Sequence, residues 1–215
     1  MFSILSDNLD ALWHGVLTTL GITALAFVSA VLLGTVVAVF RVSPIPPLRI
    51  VGAVYVELFR NIPLLSLLIL VAYGLPYVGV RLSLYTTAVV CLALVSGSFA
   101  CETVRAGING VPVGQAEAAR AIGMTFTQSL STIILPQALR TMVQPLVNIF
   151  IGVALGSSLA AAVSVGELTY QAQQVGNQTA ESMLLFIISA VVYIVIALLG
   201  GGAGSVLERR LAVHR

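Results

Sequence analysis

The chain has 215 residues, of which 59% are hydrophobic and 8% are charged, and its mean hydropathy is +1.07. A soluble domain normally carries about a quarter charged residues, so this composition excludes a surface that is mostly in contact with water. The formal net charge of +2 gives no indication of a nucleic-acid partner. The chain is therefore expected to face lipid.

Membrane spans are located by the charges, because an ionised side chain at the bilayer centre is costly. Five charge-free stretches reach the roughly 20 residues that a helix needs to cross the hydrocarbon. They are Gly15–Phe40, Asn61–Val80, Leu82–Cys101, Thr141–Gly166 and Ser182–Leu207. A sixth stretch, Ala121–Leu139, holds too many Ser, Thr and Gln residues for a lipid-facing span.

These stretches predict an all-α integral membrane protein, a bundle of five transmembrane helices in one domain over 1–215. The predicted spans are about 15–40, 55–77, 82–106, 133–159 and 182–207. Residues 1–14 form an amphipathic lead-in, and the proline cluster Pro44–Pro47 ends the first helix. The segment Leu48–Arg60 is amphipathic and leads into the second helix. The glutamine-rich segment Val163–Ala180 is predicted as a polar outer loop.

The arginines predict the orientation, since the chain contains no lysine and cytoplasmic loops normally carry the excess of basic residues. With the N-terminus outside, eight arginines lie in or beside cytoplasmic segments. These are Arg41, Arg49, Arg105, Arg120, Arg140, Arg209, Arg210 and Arg215. Only Arg81 is left clearly outside. We predict a multi-pass cell-membrane protein with its N-terminus outside and its C-terminus in the cytoplasm.

The segment at about 107–132 is the longest polar interlude and contains helix signals. Its central part, Gly114–Gly123, is rich in Ala, Gln, Glu and Arg, which favour a helix. Glu117 in the first turn and Arg120 later suit the helix dipole. Gly123 is a natural stop at the helix C-terminus. The pattern predicts a short helix on the cytoplasmic side that ends in a sharp turn.

Directly after this turn, Thr125 and Gln128 have the spacing of a capping box, which predicts the start of a second helix. Helix propensity leaves two interpretations of the loop open. The short helix is either an ordinary helix on the membrane surface or a docking site for another protein.

The loop resembles the signature of binding-protein-dependent ABC permeases, in which Glu-Ala-Ala is followed by Gly and, downstream, by Ile-Leu-Pro. Here Glu117–Ala119, Gly123 and Leu135-Pro136 match. Two flanking stretches, Glu57–Leu65 and Cys101–Ile108, resemble the polar-amino-acid branch, which includes histidine, glutamine, arginine and glutamate permeases. The resemblance covers about half of the chain and favours the docking interpretation.

This resemblance implies a permease of the type I ABC importer kind with a cytoplasmic coupling helix. The partners implied are a cytoplasmic ATPase dimer, a second permease (identical or paralogous) and an extracellular substrate-binding protein. ATP and magnesium are expected on the ATPase, because this chain has no phosphate-binding Gly-x-x-x-x-Gly-Lys-Ser/Thr loop. No catalytic residue, metal or cofactor is expected in the chain. The coupling residues implied are Gly114, Gln115, Glu117, Ala118, Ala119, Arg120 and Gly123.

The cargo implied is a polar amino acid. Two short runs, Arg41–Pro44 and Val165–Glu167, resemble those of actinobacterial glutamate permeases and point to glutamate. Many relatives also carry a lysine in helix four, within a run that here reads Leu155–Leu159 and lacks it. The alternative function is an ATP-independent channel or secondary transporter for a small polar solute, which leaves the loop motif unexplained.

Polar and charged residues within the spans have two interpretations each. Glu57 with Arg60, and Glu102 with Arg105, are spaced to form local salt bridges or a gate near the inner mouth. Polar residues at membrane depth usually face the bundle interior. Three such residues of helix four either satisfy neighbouring backbone or line the substrate pathway. They are Asn148, Ser157 and Ser158.

Overall fold

A computed structural model describes residues 2–211, with the side chains of residues 5–210, so Arg215 lies outside the described residues. All regular secondary structure in this part of the chain is helical. The α-helices are α1 (Phe2–Asp7), α2 (Leu9–Val42), α3 (Pro46–Asn61), α4 (Leu64–Ile69), α5 (Leu84–Asn109), α6 (Val113–Ala121), α7 (Phe126–Ser129), α8 (Leu135–Gly156), α9 (Leu168–Thr179) and α10 (Ser182–Leu211). The π-helical turns are Leu70–Gly74 and Leu130–Ile134, and the 3-10 segments are Leu75–Val78 and Ser157–Val163.

Within residues 2–211, four helical segments have the length and hydropathy of membrane spans. They are Leu9–Val42, Leu84–Asn109, Phe126–Val163 and Ser182–Arg210. The predicted spans 15–40, 133–159 and 182–207 each lie inside one of them, and the predicted span 82–106 begins two residues before the helix Leu84–Asn109. A fifth crossing requires the pair Pro46–Asn61 and Leu64–Val78 to act together. The predicted all-α membrane architecture is confirmed.

The second span, predicted at 55–77, is not one continuous helix. The axes of Pro46–Asn61 and Leu64–Val78 differ by 102° across a short break. Pro63 cannot donate a backbone N–H, and it disfavours the helical conformation of the residue before it. Ile62 accordingly has an extended backbone (φ −82°, ψ 129°). The chain therefore bends near the start of the charge-free stretch Asn61–Val80, within the predicted second span.

The fourth span is longer than predicted, because helical structure begins at Phe126 and continues to Val163. The π-helical turn Leu130–Ile134 directly precedes Pro136, which lies in the first turn of α8. A π-helical turn changes the hydrogen-bond spacing where a proline N–H is missing. The stretch Ala121–Leu139 is therefore no separate span, as expected, and most of it forms the start of this helix.

The core of the bundle forms where α2, α4, α5 and α8 meet. Ile22, Leu68, Leu92 and Val153, one from each of these helices, are almost completely buried in one apolar cluster. The helices α2 and α5 approach each other closely at Gly34, where an added Cβ would lie 2.6 Å from the Ala100 Cβ. Such close packing requires a residue without a side chain, and it fixes α5 against α2.

The outer loop predicted at Val163–Ala180 is instead mostly a helix, α9. Glu167 caps it, because its carboxylate accepts hydrogen bonds from the backbone N–H groups of Thr169 (3.0 Å) and Tyr170 (2.7 Å). Its apolar side packs on α2 and α10 through a cluster of buried residues. Gln173 and Gln174 lie on its exposed side. The overall polar composition of the segment suggested a loop, although the segment is a helix with one buried face.

Candidate transport site

The short helix predicted in the polar interlude is α6, Val113–Ala121. It ends at Gly123, whose φ of +80° lies in the left-handed region that glycine adopts without strain. The N–H of Met124 donates to the Ala119 carbonyl and the N–H of Gly123 donates to the Arg120 carbonyl, each at 3.0 Å. This pair of bonds is a Schellman motif, so the predicted sharp turn at Gly123 is confirmed.

The second helix of the loop starts as predicted. The Thr125 hydroxyl accepts from the Gln128 N–H at 3.3 Å, and the Gln128 side chain accepts from the Thr125 N–H at 2.9 Å. One prediction about the first helix is wrong. Because α6 begins at Val113, Glu117 lies in the second turn and not in the first, where the dipole argument placed it.

One side of α6 is buried against the rest of the chain and the other side is exposed. Ala119 is 1% exposed, and α6 as a whole contacts the π-helical turn that precedes α8. The other residues expected to take part in coupling are exposed: Gly114, Gln115, Glu117, Ala118, Arg120 and Gly123. Three large apolar side chains beside them are also exposed: Val113 (71%), Ile122 (76%) and Phe126 (79%). The loop therefore presents a mixed apolar and charged surface that no described part of the chain covers.

A cleft runs between α5 and α8. One cavity of about 470 Å³ is lined by Arg60, Phe99, Glu102, Thr103, Ala106, Gly107, Gly110, Thr141, Pro145, Asn148 and Ile149. A second cavity of about 350 Å³ is lined by Leu64, Leu92, Val95, Ser96, Phe99, Asn148, Ile149 and Gly152. The two share Phe99, Asn148 and Ile149, so they form one cleft. The bend between α3 and α4 borders it, since Arg60 and Leu64 lie on either side of the bend.

A cluster of three charges lies beside this cleft. The predicted salt bridge between Glu102 and Arg105 is present, with Oε2 and Nη1 3.1 Å apart. The third member is Arg41 from the end of α2, which also pairs with the Glu102 carboxylate. This pair was not predicted from the sequence. The cluster ties α2 to α5, and only the folded chain brings Arg41 to a residue 61 positions away.

The salt bridge predicted between Glu57 and Arg60 is absent. Glu57 instead accepts a hydrogen bond from the Asn61 side chain, at 3.4 Å, on the exposed side of α3. The Arg60 guanidinium lies over the Phe99 ring, 5.6 Å from its centre. The i,i+3 spacing allows a Glu57–Arg60 pair, but the Glu57 side chain contacts Asn61 and the Arg60 side chain contacts Phe99.

The three polar residues of the fourth span do not lie together. Asn148 is exposed in the cleft, as the pathway interpretation predicts. Ser157 is completely buried, and its hydroxyl donates to the Ala154 carbonyl at 2.7 Å. The Ser158 hydroxyl donates to the Leu155 carbonyl at 2.7 Å, and neither serine lines the cleft. For both serines the structure therefore favours the interpretation in which they satisfy the backbone.

The chain is similar to known transport proteins along almost its whole length. A family described as "Binding-protein-dependent transport system inner membrane component" matches residues 9–213. The probable glutamine ABC transporter permease protein GlnM of Bacillus subtilis is 37% identical, with 97% of each chain covered. The L-cystine transport system permease protein TcyB of the same organism is 38% identical, over 92% of this chain and 85% of that one.

Two further likenesses concern cargo and fold. The glutamate transport system permease protein GluC of Corynebacterium glutamicum is 32% identical, over 96% of this chain and 95% of that one. A solved structure described as an amino acid ABC transporter with histidines superposes with a TM-score of 0.91 at 33% identity and covers 98% of both chains. An inward-facing structure of the MetNI methionine ABC transporter gives a TM-score of 0.75 at 26% identity, over 94% of this chain and 97% of that one.

Proposed function

This chain belongs to the family of binding-protein-dependent transport system inner membrane components, the permeases of ABC importers, and on that premise we propose that its cargo is a polar amino acid, with glutamate as the first candidate. The names of three relatives given above include glutamine, cystine or glutamate, which supports an amino acid as the cargo. The main support for the transport mechanism is the surface of α6, which no described part of the chain covers and which ends in the left-handed turn at Gly123.

In this mechanism α6 docks on a cytoplasmic ATPase subunit. Val113, Ile122 and Phe126 supply apolar contact area, while Glu117 and Arg120 supply charged contacts. Two ATPase subunits close when they bind ATP and move the α6 helices of two permease copies. In the orientation that goes with this mechanism, the N-terminus and α9 lie outside, where an extracellular binding protein delivers the amino acid. The helix α6 and the end of α10 lie in the cytoplasm.

The cleft between α5 and α8 forms this subunit's side of the pathway. Three arginines and one glutamate lie on or beside it: Arg41, Arg60, Arg105 and Glu102. This excess of positive charge favours an anionic cargo, and so it supports glutamate over arginine. The charge cluster at Glu102 lies toward the cytoplasmic end, where its ion pairs hold α2 and α5 together.

Coupling is tested on reconstituted complexes by measuring ATP hydrolysis and amino-acid uptake. Glu117→Arg reverses a charge on the docking surface, and Gly123→Pro removes the positive φ that the turn needs, so we expect either variant to abolish the stimulation of ATP hydrolysis by the loaded binding protein. The matched control is Arg49→Glu, a charge reversal at an exposed position outside the loop, which should retain coupling.

Two results contradict the proposal. Wild-type coupling in both loop variants would return α6 to the role of an ordinary surface helix. Uptake by the permease in vesicles without the ATPase would favour the alternative, an ATP-independent channel or secondary transporter.

A further inference from the structure

Arg60 differs from the other charged groups around the cleft. The Glu102 carboxylate is shared by Arg41 and Arg105, which already supply two cations to one anion. The Arg60 guanidinium forms no ion pair and no hydrogen bond with any residue in the described part of the chain. Its described contact is the face of Phe99, a residue that is 41% exposed and lines the cleft.

The position of Arg60 in the fold is also unusual. It lies in the last turn of α3, directly before the 102° break, and Leu64 after the break lines the same cleft. A non-helical backbone at membrane depth is tolerated where it borders a cavity, and broken helices commonly flank substrate sites in transporters. The break thus places a cation at the cleft wall.

The opposite wall offers a polar partner to the same ligand. Asn148 of α8 lines both cavities together with Phe99, and its side-chain amide carries donors and an acceptor. A ligand seated between Phe99 and Asn148 therefore meets a guanidinium on one side and an amide on the other. A guanidinium presents a planar fork of N–H donors that matches both oxygens of a carboxylate.

We propose that Arg60, supported by the Phe99 ring, binds the carboxylate of the transported amino acid at the break in the second span, with Asn148 contacting the same ligand from α8. This inference rests on the proposed function, because it assumes that the cleft carries an amino acid. It assigns Arg60 a role different from a gate, for which the cleft would need a free acidic side chain. Glu102, the one acid that lines it, is already paired twice.

The test uses the complete complex of permease, ATPase and binding protein, reconstituted in vesicles. Radiolabelled L-glutamate, L-glutamine, L-arginine and L-cystine are supplied, since all four carry an α-carboxylate. Arg60→Gln should raise the KM of the transported amino acid about ten- to hundredfold, which is the range expected for a charge-assisted hydrogen bond. Arg49→Gln makes the same substitution on the same helix at an exposed residue that does not line the cleft, and it should leave KM unchanged.

Arg60→Lys separates binding from structure. Lysine keeps the positive charge but loses the bidentate fork, so KM should rise by a smaller factor while ATP hydrolysis without binding protein stays at the wild-type level. Phe99→Leu removes the ring under the guanidinium, and we expect it to raise KM as well.

Each result decides one of the two ideas. If the wild-type complex takes up none of the four amino acids with ATP, the proposed function fails. If the wild type transports and Arg60→Gln transports with the same KM, the carboxylate site is refuted and the proposed function stands. Should Arg60→Gln fail to assemble, Arg60→Lys decides, because an unchanged KM in that variant would overturn the inference.

Discussion

Glu167 is a completely buried acidic residue with three donors directed at its carboxylate. The backbone N–H groups of Thr169 and Tyr170 and the hydroxyl of Tyr193, at 2.5 Å, all donate to it. Burial raises the pKa of Glu167, and the hydrogen bonds from Tyr193 and from the two backbone groups oppose that rise. One side chain therefore begins α9 and joins it to α10.

Replacing Glu167 should be far more destabilising than replacing the tyrosine that contacts it. Glu167→Ala removes a helix cap and leaves three donors without an acceptor, so we expect a loss of about 3 kcal/mol. Tyr193→Phe removes one bond and should cost about 1 kcal/mol. Thermal unfolding of the purified subunit in detergent measures both.

The double variant provides the control for this pair. If Tyr193 stabilises the fold through Glu167, adding Tyr193→Phe to Glu167→Ala should cost almost nothing further. Full additivity of the two losses would show that the hydroxyl and the carboxylate act independently.

Among the elements, the pair α3 and α4 has the most consequential geometry, because its bend borders the cleft. In the loop between α5 and α8 the turn and the start of the second helix were predictable, since a left-handed glycine and a capping box are local signals at Gly123, Thr125 and Gln128. The bend was not, although Pro63 was visible. A count of uncharged residues measures length and does not detect a change of direction.

Pro63→Ala should straighten the second span. Alanine restores a backbone N–H that can donate within a continuous helix, and it relieves the restriction on Ile62. Spin labels at Val51 and Tyr77, both exposed, would be about 39 Å apart along a straight helix and about 24 Å apart when the arms differ by 102°. We expect the longer distance in the variant, together with reduced uptake.

Pro47→Ala is the matched control. Pro47 lies in the first turn of α3, where no intrahelical N–H bond is lost, so the label distance and uptake should stay at wild-type values. An unchanged short distance in Pro63→Ala would mean that packing, and not the proline, sets the bend.

At the scale of the whole molecule, the spans followed from charge and length, but contacts distant in sequence did not. The Arg41–Glu102 pair and the burial of α9 depend on which helices become neighbours, and hydropathy carries no information about neighbours. Glu167 at the start of α9 was a usable signal, because an acceptor at an N-cap is a local feature. For the cleft, three polar residues of the fourth span were candidates, Asn148, Ser157 and Ser158, and of these three Asn148 alone lines it.

The proposed orientation is testable with introduced cysteines, since Cys91 and Cys101 are both 0% exposed and give little background. Asn177→Cys on α9 should react with an impermeant thiol reagent in intact cells, because that position is exposed and the proposed orientation places it outside. Arg49→Cys, exposed near the start of α3, should react only after the cells are permeabilised. Labelling in the opposite order would reverse the orientation.

The helix α6 has a mechanical consequence that follows from chain order. It lies between the end of α5 at Asn109 and the start of the fourth span at Phe126, so it is covalently connected to both walls of the cleft. Those walls touch at Gly107, where an added Cβ would lie 2.4 Å from the Met142 methyl carbon. In the proposed mechanism a force on α6 would therefore reach both walls through linkers of a few residues and alter their separation. Because α2 packs closely on α5 at Gly34, we expect these two helices to move together.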